Sequence, residues 1–530
     1  MERRRRNSYA TGSLMLYLSL IVMALFIFLF VGSREPVLFD DSGSYMRLKR
    51  IEGVMPIYPL FLLLNQYLFG LDRYLNFVVV EQAVLATLCV VFFTKVVRDE
   101  FDLRYWESYL VFFLSLLPFT TELPQSMATQ HILTEGVGYS LFYPFMVILL
   151  KAIWTKKYTW FAGSLGMVVL LAMVRAQLQI LFGVCGIVFF YIVVCRRKQY
   201  EKKAYLPVRV AIGIVGCLCI CFVGIFAVSR ITVKYMDIIK PHGSFDRFVT
   251  KVQLPEIFEE YILEQVDEEE DVGESVQELS VEDLEQLANW RITASQYVSL
   301  VFSRGMYEAD PEDAAIFEDE VVRGLYVALY EAVDAEKERY AYAQNGLWMW
   351  QDIVGGVGQI GQTCLRVPSA YYAANYPELI VSDHFGETRN EHLTLVGLTL
   401  IKKHFGRFLY HTLMTLPQAF ICTVFFQIKP IYLLCHLVTL FLYLTALALM
   451  FWGYADRKAS NKYAEFMALV LGNNVVMVVI ISFVFFGQQR YLVYNFGIFY
   501  IACYLLLREL WNVRIRDKIL TRMTGSKNEK

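Results

Sequence analysis

Long apolar runs separated by short polar loops dominate the chain. Ten runs are predicted to be membrane-spanning helices, because each is mostly apolar and close to the length that crosses a bilayer. They lie at residues 13–32, 75–97, 107–120, 134–152, 158–174, 177–195, 207–229, 430–452, 462–486 and 489–508. This pattern predicts an all-α polytopic membrane protein, with the first run retained as an anchor.

Composition and charge add an orientation to this picture. Of the 530 residues, 56% are hydrophobic and 15% aromatic, and the net charge is only −2. With ten crossings, all of the basic loops and both termini fall on one side of the membrane, which the positive-inside rule identifies as the cytoplasm. We therefore expect a multi-pass protein of the plasma membrane, surrounded by membrane lipids and without a nucleic-acid partner.

The polar insert divides the chain into four segments. Residues 1–229 form an N-terminal module of seven spans, 230–392 a mainly helical exoplasmic insert, 393–427 an interfacial or re-entrant helix, and 428–530 the last three spans and a basic tail. The third segment is apolar enough to be an eleventh span, but that crossing would place the basic tail outside. In the insert, a capping box beginning at Ser280 and the pair Asp310-Pro311 each predict the start of a helix.

Two adjacent carboxylates, Asp40 and Asp41, follow the first span directly. Acidic groups at a membrane surface lose hydration and repel each other, so an ordinary loop has no need of them there. A carboxylate at the water–lipid boundary suits a general base acting on a lipid-borne substrate. The structural alternative is that Asp40 caps a short helix beginning at Ser42.

Four other candidates lie at the outer ends of predicted spans. Arg175 and Arg490 could each hold a phosphate bidentately, or could simply reach the lipid headgroups. Glu135 could orient a substrate or favour the helix N-terminus, and His131, one turn earlier, shares its face. A His131–Glu135 metal pair is conceivable, although a hydrogen-bonded interfacial histidine is the more common arrangement.

Five short motifs follow one another along the chain. They are Asp41-Ser42-Gly43-Ser44-Tyr45, Pro56-Ile57-Tyr58-Pro59-Leu60-Phe61, Thr134-Glu135-Gly136-Val137-Gly138, Val174-Arg175-Ala176-Gln177 and Gln489-Arg490-Tyr491-Leu492. Their order resembles the GT-C class of membrane glycosyltransferases, which includes protein O-mannosyltransferases and the aminoarabinose transferase of lipid A. The resemblance covers most of the first 200 residues and resumes near the C-terminus. It departs from the family at the insert, which has no alignable signal, and at Ala176, where a proline often follows the family's arginine.

The resemblance implies a GT-C-like helical bundle whose active site lies on the exoplasmic face. It implies transfer of a sugar, with the inverting stereochemistry of the enzymes that it resembles, from a polyprenyl-phosphate donor to a glycan, lipid or protein acceptor. Asp41 would be the base, with Asp40 second and Glu135 assisting. The sequence requires no cofactor, and it leaves open whether a divalent metal takes part. The expected substrate-binding residues are Tyr45, Tyr58, His131, Arg175, Arg490 and Tyr491.

Two other classes of function compete with this one. A glycan polymerase or ligase of the O-antigen type would expect a large outer loop, which residues 230–392 supply, but the paired acids fit that class poorly. A non-enzymatic transporter tends to show repeated halves and polar residues at mid-membrane. In this chain the halves differ and the ionisable residues gather at the outer rim, so vectorial uptake without sugar transfer would be the discriminating observation.

Overall fold

The protein is described by a computed structural model in which helices make up nearly all of the regular structure. The described residues are 2–33, 35–39, 42, 45–46, 55–123, 125–195, 206–239, 280–291, 302, 305–306, 309–340, 366–382, 384–426, 428, 431–456, 460–484 and 489–525. Within these ranges, the β-structure is an isolated bridge between Val37 and His131. The principal helices are α1 (Glu2–Phe30), α2 (Ile57–Phe69), α3 (Tyr74–Phe101), α4 (Tyr105–Ser115), α5 (Thr134–Thr155), α6 (Tyr158–Val174), α7 (Leu181–Cys195), α8 (Leu206–Ile239), α9 (Val281–Arg291), α10 (Glu320–Tyr340), α11 (Phe385–Lys403), α12 (Phe405–Val424), α13 (Tyr432–Ala455), α14 (Asn461–Val484) and α15 (Phe496–Gly525).

Eight helical segments in the described part of the chain are long and apolar enough to cross a membrane. They match eight of the ten predicted spans and are Gly12–Phe30, Tyr74–Phe101, Thr134–Thr155, Ala176–Val194, Pro207–Thr232, Tyr432–Ala455, Asn461–Phe483 and Gln489–Ile515. The prediction at 158–174 corresponds to α6, which has only 17 residues. The prediction at 107–120 corresponds to the 11-residue α4 followed by a 3-10 turn containing Pro118, whose ring and missing N–H prevent the α-helix from continuing. The chain is therefore a helical multi-pass membrane protein.

Ion pairs gather at one end of the bundle, where α3 and α5 end and α14 begins. Glu100 of α3 pairs with both Lys151 of α5 and Lys462 of α14. At the same end Glu107 of α4 pairs with Arg508 of α15 at 2.7 Å. This end, which we call the lysine end, carries basic loops that the sequence assigns to the cytoplasm. The opposite end carries the end of α1 and the start of α5.

A close approach between α4 and α15 depends on a glycine. A Cβ added at Gly497 would lie only 1.9 Å from the carbonyl oxygen of Leu114, far inside van der Waals contact. Only glycine lets the two backbones come this near. The contact fixes the start of α15 against the N-terminal module, a few residues after the motif that begins at Gln489.

Both ends of α12 contact the end of the bundle opposite the lysine end. The ring of Phe408 lies 6.4 Å from that of Phe483, near the end of α14. The carbonyl of Phe425, just after α12, accepts a hydrogen bond of 3.3 Å from Gln489. The helix is not among the eight candidate spans. Its predicted interfacial or re-entrant placement remains a prediction.

The described part of the insert has its own hydrophobic core. Its members include Leu325 and Leu329 of α10, and the same core continues past residue 392 to Leu400 of α11. The predicted capping box is present, since Asp283 N–H donates to Ser280 Oγ at 3.2 Å at the start of α9. The predicted helix start at Asp310 is a 3-10 helix, Pro311–Ile316, rather than an α-helix.

A buried carboxylate joins this insert to the junction of α11 and α12. Asp313 is completely buried, and its oxygens lie 2.5 Å from Lys403 Nζ and 2.8 Å from His404 Nε2. Burial alone would raise the pKa of Asp313, but hydrogen bonds from Lys403, the Asp310 backbone and His404 outweigh it and hold that pKa below its usual value. The insert residue Asp313 is thus fastened to the junction of α11 and α12 through a compensated charge.

Candidate functional site

A buried ion pair joins two of the residues predicted from sequence. Glu135 lies in the first turn of α5, and Arg175 follows the last residue of α6. Arg175 Nη1 lies 2.8 Å from Glu135 Oε1, and the two side chains are only 11% and 5% exposed. A charge that is buried without a partner is strongly destabilising, so each of these residues holds the other in place.

Tyr491 connects this ion pair to the second predicted arginine. Its ring centroid lies 4.9 Å from the guanidinium carbon of Arg175 and also 4.9 Å from that of Arg490. Arg490 Nη2 in addition donates a hydrogen bond of 2.9 Å to the Tyr491 hydroxyl. The two guanidinium carbons are therefore at most about 10 Å apart, which is twice the 4.9 Å from each carbon to the ring centroid.

Two tyrosines that sequence reasoning did not select complete the cluster. Tyr139 donates a hydrogen bond of 2.8 Å to the carbonyl of Arg490, and its ring lies 4.9 Å from that of Tyr494 in a T-shaped arrangement. The Tyr494 hydroxyl is buried without a hydrogen-bond partner among the described residues. Tyr139 follows Glu135 by four residues, and this helical spacing could have placed both on one face. Tyr494 carried no comparable signal.

The acidic pair Asp40 and Asp41 lies outside the described residues, so its predicted catalytic roles remain predictions. The described neighbours of the pair lie beside the segment that leads into α5. Val37 N–H donates to Gln130 O at 2.9 Å, and the ring of Phe39 lies 4.8 Å from that of His131. The residues just before the acidic pair therefore contact the segment around His131. His131 itself lies four residues before Glu135 in the sequence.

His131 is held as a neutral, hydrogen-bonded side chain. Its Nε2 lies 2.7 Å from Ser126 Oγ, and the residue is only 3% exposed. Burial lowers the pKa of His131 to about 4, and the nearby negative charge of Glu135 only partly opposes that effect. At neutral pH the imidazole is uncharged, so His131 shares one hydrogen bond with Ser126 and can support the loop, but it cannot supply positive charge.

Tyr45 and Tyr58 form the aromatic part of the site that the first loop and α2 contribute. Their rings pack edge to face with centroids 5.4 Å apart. Tyr58 is fully buried, and its hydroxyl has no hydrogen-bond partner in the described part of the chain. Glu135 is near enough to interact electrostatically with that hydroxyl.

Glu122 is a rim carboxylate that was not among the predicted site residues. It lies in the turn before α5, on the same end of the bundle, and is solvent-accessible. Partial burial of its carboxyl raises the pKa of Glu122, and the nearby Arg490 opposes the effect. A carboxylate with a raised pKa beside an arginine is suited to general acid–base work. Glu122 therefore joins Asp41 and Glu135 as a candidate acid or base.

One group of described residues has the spacing of metal ligands, and it lies in the insert rather than at this site. The group comprises Asp310, Asp313 and His404. Lys403 already pairs with Asp313, and Arg407 pairs with Asp310 at 3.1 Å. Because these cations already neutralise the carboxylates, the cluster fits an ion-pair fastening better than a cation site. The possibility of a divalent metal near His131 and Glu135 remains open.

Comparison of the chain with protein-family models, with curated proteins and with solved structures finds no match. The chemistry of the site must therefore be argued from its own residues. The arrangement offers two arginines around one aromatic ring, a carboxylate paired with Arg175, and buried tyrosine hydroxyls without hydrogen-bond partners among the described residues. Such a set can hold an anionic group together with a hydroxyl-rich neighbour at the rim of a membrane bundle.

Proposed function

We propose that the protein is an integral-membrane glycosyltransferase of the GT-C type. In this proposal a sugar moves from a polyprenyl-phosphate donor to a glycan, lipid or protein acceptor at the outer membrane face. Asp41 takes the proton of the acceptor hydroxyl. As the bond between the sugar and the phosphate breaks, the negative charge that develops on the phosphate is stabilised by arginine.

The observation that carries the proposal is the cluster formed by Glu135, Arg175, Arg490 and Tyr491. These residues come from three separate parts of the sequence, namely the start of α5, the link between α6 and α7, and the segment before α15, and their side chains meet at one end of the bundle. A departing phosphate needs fixed positive charge, and preorganised donors aimed at developing charge are usually a large part of catalysis. In the proposal, the cluster supplies that charge to the phosphate of the lipid-borne donor.

The two arginines are given different roles in the proposal. Arg175 forms a buried ion pair with Glu135, so its main role is to position that carboxylate and to add background positive charge. Arg490, which shares the Tyr491 ring, contacts the donor phosphate. Glu135 then orients the acceptor or assists the base.

The sidedness of the bundle supports an exoplasmic site. Lys151 and Lys462 lie at the lysine end, which the positive-inside rule assigns to the cytoplasm. The Glu135 cluster lies at the opposite end. Activated sugars carried on lipid are presented on that side of the membrane in the class that the sequence resembles.

The test is sugar transfer by the purified full chain in lipid nanodiscs, with a panel of radiolabelled polyprenyl-phosphate sugars. The informative variants are Asp41→Asn, Asp40→Asn, Glu135→Gln and Arg490→Gln. Asp72→Asn is the matched control, because Asp72 is an exposed acid in the turn between α2 and α3. Donor binding is measured separately, so that loss of chemistry is distinguished from loss of substrate.

We expect Asp41→Asn to lose about 10²–10⁴-fold in turnover with donor binding retained, as is typical for removal of a positioned base. Arg490→Gln should weaken donor binding and turnover together. Full activity in both aspartate variants would move the base to Glu135 or Glu122. If the wild type neither binds nor turns over any donor, the transferase proposal is wrong, and vectorial uptake into vesicles would then indicate a transporter.

A further inference from the structure

A groove between α7 and α14 lies in the other half of the bundle from the Glu135 cluster. It encloses about 190 Å³. Its walls are mostly apolar and include Val184 and Val188 of α7 and Leu469 of α14. For comparison, an engineered apolar cavity of about 150 Å³ is large enough to bind benzene. The α7–α14 groove can therefore accommodate a substantial part of a lipid chain.

Asn473 places an amide in this apolar groove. The residue is completely buried, and neither its side-chain nitrogen nor its side-chain oxygen has a hydrogen-bond partner among the residues that the structure describes. It lies near the middle of the 24-residue α14. Leaving an amide unpaired at this depth costs free energy. A ligand that hydrogen-bonds to its N–H donor and its carbonyl acceptor would remove that cost.

The charge of the groove is already compensated. Glu465 is the one charged residue among those lining it. Its carboxylate lies 3.1 Å from Lys156 Nζ and accepts a hydrogen bond of 2.6 Å from the Tyr191 hydroxyl. Along α14 it is about 12 Å from Asn473, at 1.5 Å per residue. Because no cationic residue is among the described residues that line the groove and Lys156 is already paired with Glu465, the lining offers no positive charge to an anionic headgroup.

Gly472 keeps the groove open. A Cβ added at this position, in the middle of α14, would meet no atom within 4 Å. Glycine in a helix interior is less favourable than alanine by roughly 1 kcal/mol. No close backbone approach requires a glycine at this point, in contrast to Gly497. What the missing side chain leaves is free space on the face of α14 that lines the groove.

We propose that the α7–α14 groove binds an uncharged membrane lipid that carries a free hydroxyl beside an ester carbonyl, as the head of a diacylglycerol does. The hydroxyl donates to Asn473 Oδ1, and the ester carbonyl accepts from Asn473 Nδ2. One acyl chain lies along Val184, Val188 and Leu469. This lipid site is separate from the Glu135 cluster and does not depend on the proposed transferase activity.

The test is photo-crosslinking of the full chain in nanodiscs with a diacylglycerol that carries a diazirine in one acyl chain, followed by mass spectrometry of the labelled peptides. Asn473→Leu removes both hydrogen bonds while keeping a similar volume, and Gly472→Leu fills the groove. Val475→Leu is the control, because Val475 is 45% exposed on the same helix and does not line the groove. Thermal unfolding of each variant verifies that it is folded.

We expect labelling at residues 184–191 and 468–476 that unlabelled diacylglycerol removes and phosphatidylglycerol does not. Loss of two neutral hydrogen bonds should reduce labelling about fivefold to tenfold in Asn473→Leu. Gly472→Leu should abolish it, and Val475→Leu should leave it unchanged. Equal labelling in all variants, or equal competition by phosphatidylglycerol, would overturn the proposal. So would the absence of labelling in the wild type, which would mean that water alone serves Asn473.

Discussion

The ion pair between Glu135 and Arg175 should be among the most strongly coupled pairs in the protein. Its two side chains are 5% and 11% exposed, with 2.8 Å between the charged atoms. Unit charges about 4 Å apart interact by about 4 kcal/mol at an effective dielectric constant of 20. Leaving one member of such a pair uncompensated costs about 3–5 kcal/mol. Arg175→Met should cost about 1 kcal/mol more than Glu135→Gln, because it also removes the contact with the Tyr491 ring.

The assay is a double-mutant cycle on the free energy of unfolding. Glu135→Gln, Arg175→Met and the double variant are unfolded reversibly by SDS in mixed micelles, with tryptophan fluorescence as the signal. We expect the double variant to be less destabilised than the sum of the single variants by about 3 kcal/mol. Arg407→Gln is the control, because its pair with Asp310 is exposed and should contribute less than about 1 kcal/mol. A coupling energy below about 1 kcal/mol for the buried pair would refute the reasoning.

Three further predictions concern other parts of the molecule. The pKa of His131 is about 4 in the folded protein and about 6.5 in the unfolded chain. Up to about 3 kcal/mol of folding stability is therefore present above pH 6.5 and is lost as the pH falls toward 4. His131→Gln should flatten this loss in pH-dependent unfolding, and an unchanged profile would count against a neutral buried histidine. Asp313→Asn should loosen the insert and speed its limited proteolysis, because Lys403 loses its charge partner, whereas cleavage in Arg407→Gln should match the wild type. Gly497→Ala should destabilise the protein by about 1–3 kcal/mol or more in SDS unfolding, because its Cβ would strike the carbonyl of Leu114, whereas Gly166→Ala meets open space and should be neutral or stabilising.

Much of the membrane architecture could be read from the chain because apolar runs of sufficient length have few alternatives. The ends of α5 and α14, for instance, follow the predicted spans closely. The segment at 107–120 was harder, because its apolar residues continue past Pro118 while the α-helix stops before it. Apolar composition reports burial, whereas the length of a helix also depends on where the backbone can keep its hydrogen bonds.

The candidate site could be predicted only as a set of separate residues. Sequence order and sidedness selected Glu135 and Arg175, but nothing in their spacing indicated that they pair with each other. That contact depends on how α5, α6 and α7 pack, and packing is not encoded in a local pattern. For the same reason Tyr494, which lies more than 300 residues from Glu135, was not selected. The hydroxyls of Tyr58 and Tyr494 became informative only when their burial and lack of partners were known.

The charge contacts at the lysine end have a consequence for biogenesis. Glu100 and Lys151 enter the membrane early in synthesis, but Lys462, the second partner of Glu100, emerges only after more than 300 further residues. Arg508, the partner of Glu107, emerges later still. The first spans must therefore remain partly assembled in the bilayer until the C-terminal hairpin of α14 and α15 packs against them. If the chain is divided within the insert and its two halves are expressed from separate genes, the halves carry complementary contacts and should reassemble. An N-terminal half that is expressed alone should be degraded by membrane proteases.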